Sequence, residues 1–197
     1  MPKRLQAGFT LYELLITVVV IALILAIGVP NLGEFSRNSR VTALANDLHG
    51  SFMLARSEAA RAKESVTICA SADPTAADAE CDGTSFADGW IVFLDRDGDG
   101  ERSTGGNETI LKTFAAAHQT IHINSSGSKF TFAPTGLGAE GNAFIAMICD
   151  DRGNTLAPGG SSAARRIVVS PIGRSTIIKT VETISASVGT LGVNCTS

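Results

Sequence analysis

Residues 14–33 of this 197-residue chain read LLITVVVIALILAIGVPNLG, twenty consecutive residues without a charge. As an α-helix rising about 1.5 Å per residue, the stretch spans about 30 Å, the thickness of the hydrocarbon core of a bilayer. The whole chain is 44% hydrophobic, only 18% charged and carries a formal net charge of −3. This composition excludes an intrinsically disordered protein, and the concentration of apolar residues in one segment predicts a membrane-spanning helix.

The residues that flank this segment separate three interpretations of it. Lys3 and Arg4 precede it and no acidic residue comes before Glu13, so the positive-inside rule places the start of the chain in the cytoplasm and the part after Pro30 outside. A secretory signal peptide has a shorter apolar region that ends in a small-residue cleavage site. A simple membrane anchor gives no role to Glu13, and an ionisable residue in such a segment indicates a function.

Residues 8–13, Gly-Phe-Thr-Leu-Tyr-Glu, with the apolar run behind them, resemble the N-terminal signal of type IV prepilins and pseudopilins. The resemblance implies that a membrane prepilin peptidase removes residues 1–8 as a leader by cutting after Gly8, and that the new N-terminal residue, Phe9, is N-methylated. It also implies that Glu13 pairs with the N-terminal amine of a neighbouring subunit during assembly. Such pairing is physically sensible, because a paired carboxylate in low dielectric recovers much of the cost of its burial.

The chain after the leader predicts one long helix, with a transmembrane half at residues 9–30 and an amphipathic half at residues 31–64. Pro30 lies late in the apolar run, where a proline kinks or locally melts a helix, and members of the family commonly have a proline there. Beyond it, apolar residues recur at helical spacing and predict a stripe packed against a globular head: Val41, Leu44, Ala45, Leu48, Phe52, Ala55 and Ala59. Residues 54–59, LARSEA, resemble a segment of the FimT, FimU and GspH subfamily.

Residues 65–197 predict a small antiparallel β head, because short β-branched or aromatic runs alternate with turn residues. We expect strands at residues 65–70, 90–94, 109–114, 120–124, 129–133, 143–148, 166–170 and 175–179. Residues 88–93 and 166–174 again resemble strands of FimT, FimU and GspH proteins. The expected fold class is α+β and type IV pilin-like, with the long N-terminal helix packed on an antiparallel β-sheet head.

The four cysteines predict disulfides. No Cys-x-x-Cys pair occurs, which leaves redox and zinc motifs unsupported, and the head lies outside the cytoplasmic membrane, where disulfides persist. Four cysteines allow three pairings. We favour Cys69 with Cys81, which closes a loop rich in Ala and Asp, and Cys149 with Cys195, which resembles the C-terminal disulfide of FimU-like minor pilins.

An acidic turn and a basic tail are the two candidate ligand sites. Asp95, Asp97 and Asp99 match the first half of an EF-hand-type calcium loop, but the twelfth position, where a bidentate Glu belongs, is Gly106. A polar hairpin turn and a weak calcium site both stay open, and no other cofactor is expected. Residues 65–160 carry 5 basic and 13 acidic side chains, whereas residues 161–197 carry four basic side chains and one acidic side chain.

That basic tail is the candidate for phosphate contacts with DNA: Arg165, Arg166, Arg174 and Lys179. Some FimT-type minor pilins are implicated in DNA uptake through a Gly-Arg-x-Arg motif in this region. Here the segment at residues 173–176 reads Gly-Arg-Ser-Thr, which lacks the second Arg. A solvated face or a contact with a protein partner is the alternative.

The sequence contains no recognisable catalytic motif, which indicates a protein that is not an enzyme. A secreted or membrane-anchored hydrolase is the alternative function, and a contact between a serine and a histidine in a cleft would support it. The resemblance implies a FimT/FimU-type minor pilin that is held in the bacterial inner membrane with a periplasmic head. It would then join minor and major pilins to prime a pilus and sit at its tip. A GspH-like pseudopilin of type II secretion is the near alternative.

Overall fold

The computed structural model describes residues 8–103, 107–157, 159–185 and 195, with the backbone alone at Pro30. The chain divides into two compact units at Arg37 and Asn38. One helix, α1 (Leu11–Ala62), contributes to both units, and eight strands follow it in the second. The strands are β1 (Ser65–Ala70), β2 (Trp90–Asp95), β3 (Ile110–Phe114), β4 (His122–Ser125), β5 (Lys129–Phe132), β6 (Phe144–Cys149), β7 (Arg165–Val169) and β8 (Ser175–Ile178).

In the first unit α1 exposes its apolar side chains on every face. Ile24 and Ile27, for example, are 64% and 69% exposed, as expected of a helix that is apolar all round and lies in lipid. Every residue from Leu11 to Ala62 is helical, so of the two effects predicted for Pro30, a kink or local melting, melting does not occur in the single chain. A proline deletes only one backbone donor, and nearby the side-chain amide of Asn31 donates to the carbonyl oxygen of Ile27 across 2.9 Å.

In the second unit α1 buries the stripe that the sequence predicts. Six of the seven stripe residues are at most 1% exposed, and Leu44 is partly buried against the same cluster. The helix ends at Ala62, two residues before the predicted end. Lys63 follows with a φ of 60°, a left-handed conformation that commonly terminates helices, and its N–H donates to the carbonyl oxygen of Ala59 across 3.0 Å.

The eight strands form two antiparallel four-stranded sheets, in the orders β3-β2-β1-β5 and β4-β6-β7-β8. All eight predicted strands are present, with ends within two residues of the expected positions. The sequence predicted a β head but not its division into two sheets. That division depends on β5 pairing with β1, which is distant in the chain, instead of with the neighbouring β4.

The main hydrophobic core lies between the α1 stripe and one face of each sheet. Phe52 from α1 meets Phe130 from β5 at 5.9 Å and Phe144 from β6 at 5.2 Å, measured between ring centroids. Side chains alternate between the two faces of a strand, so β6 sends Phe144, Ala146 and Ile148 into this core. Its other side chains, on the outer face, are also buried.

A smaller apolar cluster covers the outer face of each sheet, and each cluster contains a disulfide. Cys69 and Cys81 are bonded, with a Cα–Cα distance of 5.4 Å, beside Ile91 and Phe93. Cys149 and Cys195 are bonded, with a Cα–Cα distance of 5.9 Å, in the cluster of Ile145, Met147 and Ile184. These are the two pairings that the sequence analysis favours, and each covalently holds a loop or the tail against a sheet.

Candidate assembly site

The N-terminal segment places Glu13 in a capping box with Thr10. The backbone N–H of Glu13 donates to the Thr10 hydroxyl oxygen across 3.2 Å, and the N–H and hydroxyl of Thr10 each lie 3.5 Å from a carboxylate oxygen of Glu13. This reciprocal arrangement satisfies donors that the first turn of a helix leaves free. A carboxylate in the first turn also interacts favourably with the helix dipole, so Glu13 has an internal partner in the single chain.

Phe9, the residue predicted to become the mature N-terminus, is 84% exposed directly before this turn. The helix that begins at Leu11 is long and apolar enough to cross a membrane. The predicted cleavage position, a capped carboxylate and a helix of membrane-spanning length therefore follow one another directly in the chain. The basic residues of the leader, Lys3 and Arg4, lie outside the described residues.

The acidic side chains of Asp95, Asp97 and Asp99 lie close together in the structure, but Asp95 accepts hydrogen bonds from groups of the head itself. Carboxylate oxygens of Asp95, Asp97 and Asp99 lie within 4.8 Å of one another. Asp95 is fully buried and accepts from the Thr67 hydroxyl at 2.6 Å and from the backbone N–H groups of Gly98 at 2.8 Å and Gly100 at 3.0 Å. These contacts account for a hairpin turn that is stabilised by its own carboxylates.

Glu108, two residues before β3, completes the same turn. It is 6% exposed and accepts from the N–H of Arg96 at 3.3 Å and from the N–H of Ser103 at 2.7 Å. The sequence analysis did not identify Glu108 as a part of this turn. Gly106, which occupies that position, lies outside the described residues.

The four basic tail residues do not form one phosphate-binding surface. Arg166 is fully buried and must be withdrawn as a DNA contact, and its burial lowers the pKa of its guanidinium. Arg165 donates to the carbonyl oxygens of Ser162 and Ala164. Its partial burial, and secondarily the positive charge of Arg152, lower its pKa.

Only Arg174 and Lys179 of the predicted set present an exposed cation to solvent. Two exposed cations can neutralise only two phosphates, and the affinity of a protein for nucleic acid increases with the number of phosphates it neutralises. These two residues alone therefore give weak support to a nucleic-acid site. The sequence did not predict that Arg166 is buried, because its contact at Ile184 is 18 residues away in the chain.

A Ser–His contact does occur, between Nδ1 of His49 in α1 and the hydroxyl oxygen of Ser175 in β8, at 2.8 Å. It ties the helix to the edge of a sheet. Within the described residues His49 has no carboxylate partner of the kind that orients a catalytic histidine. We therefore interpret the hydrogen bond between His49 and Ser175 as structural, and it does not support a hydrolase.

Sequence reasoning missed a groove of 320 Å³ between α1 and the chain that follows β3, which we call the α1 groove. Trp90 and Phe114, stacked with centroids 4.7 Å apart, form part of its lining. Its remaining lining residues are Arg40, Ala43, Leu44, Asp47, Ala115, Ala116, Ala117, His118 and Ile121. No local pattern predicts it, because its walls are 70 residues apart in the chain.

His118 stands at the edge of the α1 groove and fixes the position of Arg40. A guanidinium nitrogen of Arg40 lies 3.3 Å from Nε2 of His118, and Nδ1 of the same ring lies 2.9 Å from the hydroxyl oxygen of Thr120. The backbone N–H of Thr120 also donates to Nδ1, across 3.3 Å. The cation at this end of the groove is thereby held in place, and Asp47 supplies an exposed anion.

Comparison with known proteins assigns the chain to a family. Residues 44–173, more than half of the chain, match the family model for the type II transport protein GspH. Residues 3–29 match the model for the prokaryotic N-terminal methylation motif. No curated protein matches the chain at a significant level.

The fold is similar to that of a solved type IV minor pilin. The type IV minor pilin FimU of Pseudomonas aeruginosa strain PAO1 superposes with a TM-score of 0.51 at 18% identity, covering 73% of this chain and 91% of FimU. The minor pseudopilin EpsH from the type 2 secretion system of Vibrio cholerae gives a TM-score of 0.43 at 10% identity, covering 71% of this chain and 97% of EpsH. With its methylation motif, its apolar N-terminal helix and its two-sheet head, the chain belongs to the GspH family of minor pilins and pseudopilins, which are structural subunits and not enzymes.

Proposed function

We propose that this chain is a minor pilin that assembles through α1 into a type IV pilus, primes its assembly and is located at its tip. The observation that carries the proposal is the succession of Gly8, Phe9 and Glu13 ahead of a helix that is exposed and apolar in its first unit and deeply packed in its second. The likeness of the fold to FimU, which is a type IV minor pilin, supports the pilus over other assemblies.

Maturation would begin with hydrolysis of the peptide bond between Gly8 and Phe9 by a prepilin peptidase, followed by methylation of the new amine. Before cleavage the chain would be a single-pass protein of the bacterial inner membrane, with Lys3 and Arg4 in the cytoplasm and the head in the periplasm. Cleavage removes the two basic residues that anchor this orientation. The subunit can then leave the bilayer for a filament that consists of other minor and major pilins.

Glu13 would act during assembly as the group that sets the register between subunits. In the single chain its carboxylate is held by Thr10, and in a filament the methylated amine of a neighbour's Phe9 would replace that partner. A neighbour out of register would leave a carboxylate unpaired in a low-dielectric medium, which costs several kcal/mol. Correct stacking of the helices is thus favoured over the alternatives.

The test uses the full-length chain, produced in a deletion strain, with pili sheared from the cells. We expect the wild-type chain in the sheared fraction with a mass that shows loss of residues 1–8 and one added methyl group. Glu13→Val should stay in the membrane although it is cleaved, whereas Thr17→Val, a matched change one turn further along α1, should be assembled. Wild-type chain that never enters the sheared fraction would refute the proposal.

The pseudopilin of type II secretion is the second candidate, and the GspH family model favours it. The same deletion strain separates the two. Loss of twitching or transformation with intact exoprotein secretion supports the pilus, and loss of secretion with intact pili supports the pseudopilus.

A further inference from the structure

Two of the four edge strands of the head are covered by other parts of the chain. An edge strand turns the N–H and C=O groups of alternate residues away from its sheet. In β5 the carbonyl oxygen of Thr131 accepts from the N–H of Ala139 across 2.9 Å. In β4 the carbonyl oxygen of Ile123 accepts from the Ser85 hydroxyl across 3.0 Å. The other two edges are those of β3 and β8.

In β3, Thr113 turns its backbone N–H and C=O groups to the open side of the strand. The N–H of Ser71 donates to the carbonyl oxygen of Gly89 across 3.1 Å, so Gly89 bonds to the β1 side of β2. Trp90, the next residue, therefore bonds on the opposite side, to its partner Phe114 in β3. Thr113 precedes Phe114 and points the other way. Among the residues that the structure describes, none bonds to these outward groups, and Thr113 is exposed.

A cation and an apolar surface follow one another along this open edge. Phe114 lines the α1 groove, and Lys112 lies two residues earlier on the same face of β3. The Nζ atom of Lys112 lies 4.7 Å from the ring centroid of Phe114, and the side chain is exposed. We call the outward backbone of Thr113, with the side chains of Lys112 and Phe114, the β3 edge.

We propose that the β3 edge takes an extended segment of a different pilin subunit, which pairs with β3 as an added strand. The segment carries an acidic side chain opposite Lys112 and an apolar side chain opposite Phe114, beside the α1 groove. Strand geometry fixes their separation, because alternate residues lie about 6.8 Å apart on one face. The proposal rests on the proposed function and deepens it by naming the chemistry of a partner of the head.

Charge selects a different subunit over a second copy of this chain. Neither β3 nor β8 contains an acidic residue, and β8 is flanked by the exposed cations Arg174 and Lys179. A second copy that offers either strand would set cations against Lys112, and like charges opposite one another destabilise a strand pair. A contact between two different subunits also does not propagate from copy to copy, as expected of a subunit at the tip of a filament.

Peptide binding to the purified full-length chain in detergent tests the pairing. Two end-capped fluorescent peptides, TVTETVT and TVTKTVT, are compared by anisotropy. In both, a valine lies two residues from the central charge in either strand direction. We expect TVTETVT to bind about ten-fold more tightly, because TVTKTVT sets two ammonium groups opposite one another. Equal binding of the two peptides, or no binding at about 1 mM, overturns the proposal.

Reversal of the charge in β3 should invert this preference. Lys112→Glu should bind TVTKTVT about ten-fold more tightly than TVTETVT. Lys179→Glu, the matched change beside β8, should keep the wild-type preference. A wild-type preference in Lys112→Glu overturns the proposal.

A proline in β3 tests the backbone contact separately. Thr113→Pro removes an N–H that takes no part in the ladder to β2, and it should abolish binding of both peptides. Unchanged binding overturns strand addition. If the proline variant unfolds at a lower temperature than the wild type, the comparison of Lys112→Glu with Lys179→Glu still decides the proposal.

Photo-crosslinking in cells identifies the occupant. A benzophenone side chain at position 113 of the full-length chain should crosslink, in sheared filaments, to a different pilin. The crosslinked peptide should contain an acidic and an apolar residue separated by one residue. A crosslink to a second copy, or none while the chain is present in filaments, overturns the contact and leaves the assembly function standing. A crosslink to another pilin in the membrane, from a chain that never enters filaments, refutes the proposed function and leaves the contact standing.

Discussion

The indole N–H of Trp90 in β2 donates a hydrogen bond to the hydroxyl oxygen of Ser51 in α1 across 2.9 Å, inside the core. The Ser51 hydroxyl in turn donates to the backbone carbonyl oxygen of Asp47 across 2.8 Å. Trp90 and Ser51 are at most 1% exposed. A single hydroxyl therefore fixes the helix against the tryptophan that lines the α1 groove.

Ser51→Ala should lower the free energy of unfolding of the second unit by about 1–3 kcal/mol, because it leaves the buried indole N–H without an acceptor. Ser57→Ala is the matched control, since the Ser57 hydroxyl bonds only to the carbonyl oxygen of Leu54, at an exposed position. Thermal unfolding of the purified full-length chain in detergent measures both. Equal effects of the two changes would contradict the role of the Trp90 contact.

Removal of the two disulfides should lower stability to different extents. The chain-entropy argument depends on the number of residues enclosed, and Cys149–Cys195 spans a separation of 46 residues whereas Cys69–Cys81 spans 12. Replacing both cysteines of Cys149–Cys195 with serine should lower the free energy of unfolding by about 4 kcal/mol. The same change at Cys69–Cys81 should lower it by about 3 kcal/mol. Urea unfolding measures the difference.

Intact mass before and after reduction and alkylation checks that both bonds form. A protein secreted with four alkylatable thiols without reductant would remove the basis of this prediction. A larger loss for the shorter loop would mean that packing of the disulfide in its cluster outweighs chain entropy.

Local periodicity explains why so much of the fold could be predicted. The α1 stripe follows a period of three and four, and each strand is a short β-branched run between turn residues, so both are encoded within a few residues. The family resemblance likewise depends on residues that are adjacent in sequence, from Gly8 to Glu13. The four cysteines allowed only three disulfide pairings, and the resemblance to FimU-like minor pilins favoured the pairing that contains Cys149–Cys195.

Long-range contacts explain what could not be predicted. Arg166 stands in a run of strand residues beside Arg165, and nothing in that run shows that the outer face of β7 is covered by the segment around Ile184. The α1 groove likewise depends on Phe114 lying beside Leu44, and the division into two sheets depends on which distant strands pair. The helix continues through Pro30, because a proline removes only one backbone donor.

Asp95→Ala should destabilise the chain by about 2–3 kcal/mol, because three donors lose a buried acceptor. Asp97→Ala, a change at an exposed carboxylate of the same turn, should cost less than 1 kcal/mol. Both losses should be the same with 5 mM calcium, a concentration chosen to be on the order of the weakest extracellular sites, and with a chelator. Calorimetric heat on calcium addition, or a rise in unfolding temperature that Asp97→Ala abolishes, would instead identify the turn as a metal site.

Gly173→Ala, in the loop between β7 and β8, should be more damaging than Gly160→Ala, in the segment before β7, because two separate costs add at Gly173. The residue has a φ of +78°, and a Cβ would lie 2.3 Å from the carbonyl oxygen of Gly136. Gly160 is the matched control, since it has the same φ of +78° but nothing within 4 Å of the added carbon. Gly160→Ala should therefore cost about 1–2 kcal/mol from the left-handed backbone alone.

The clash at Gly173 should add about 1–3 kcal/mol to that cost, and the difference between the two variants in urea unfolding isolates it. The clashing atom is the backbone carbonyl oxygen of Gly136, and the side chain of Arg56 in α1 lies close to the same position. The loop that contains Gly173 can therefore relieve the clash only by moving away from α1. Equal unfolding free energies for the two variants would show that the two loops are not pressed together as the structure has them.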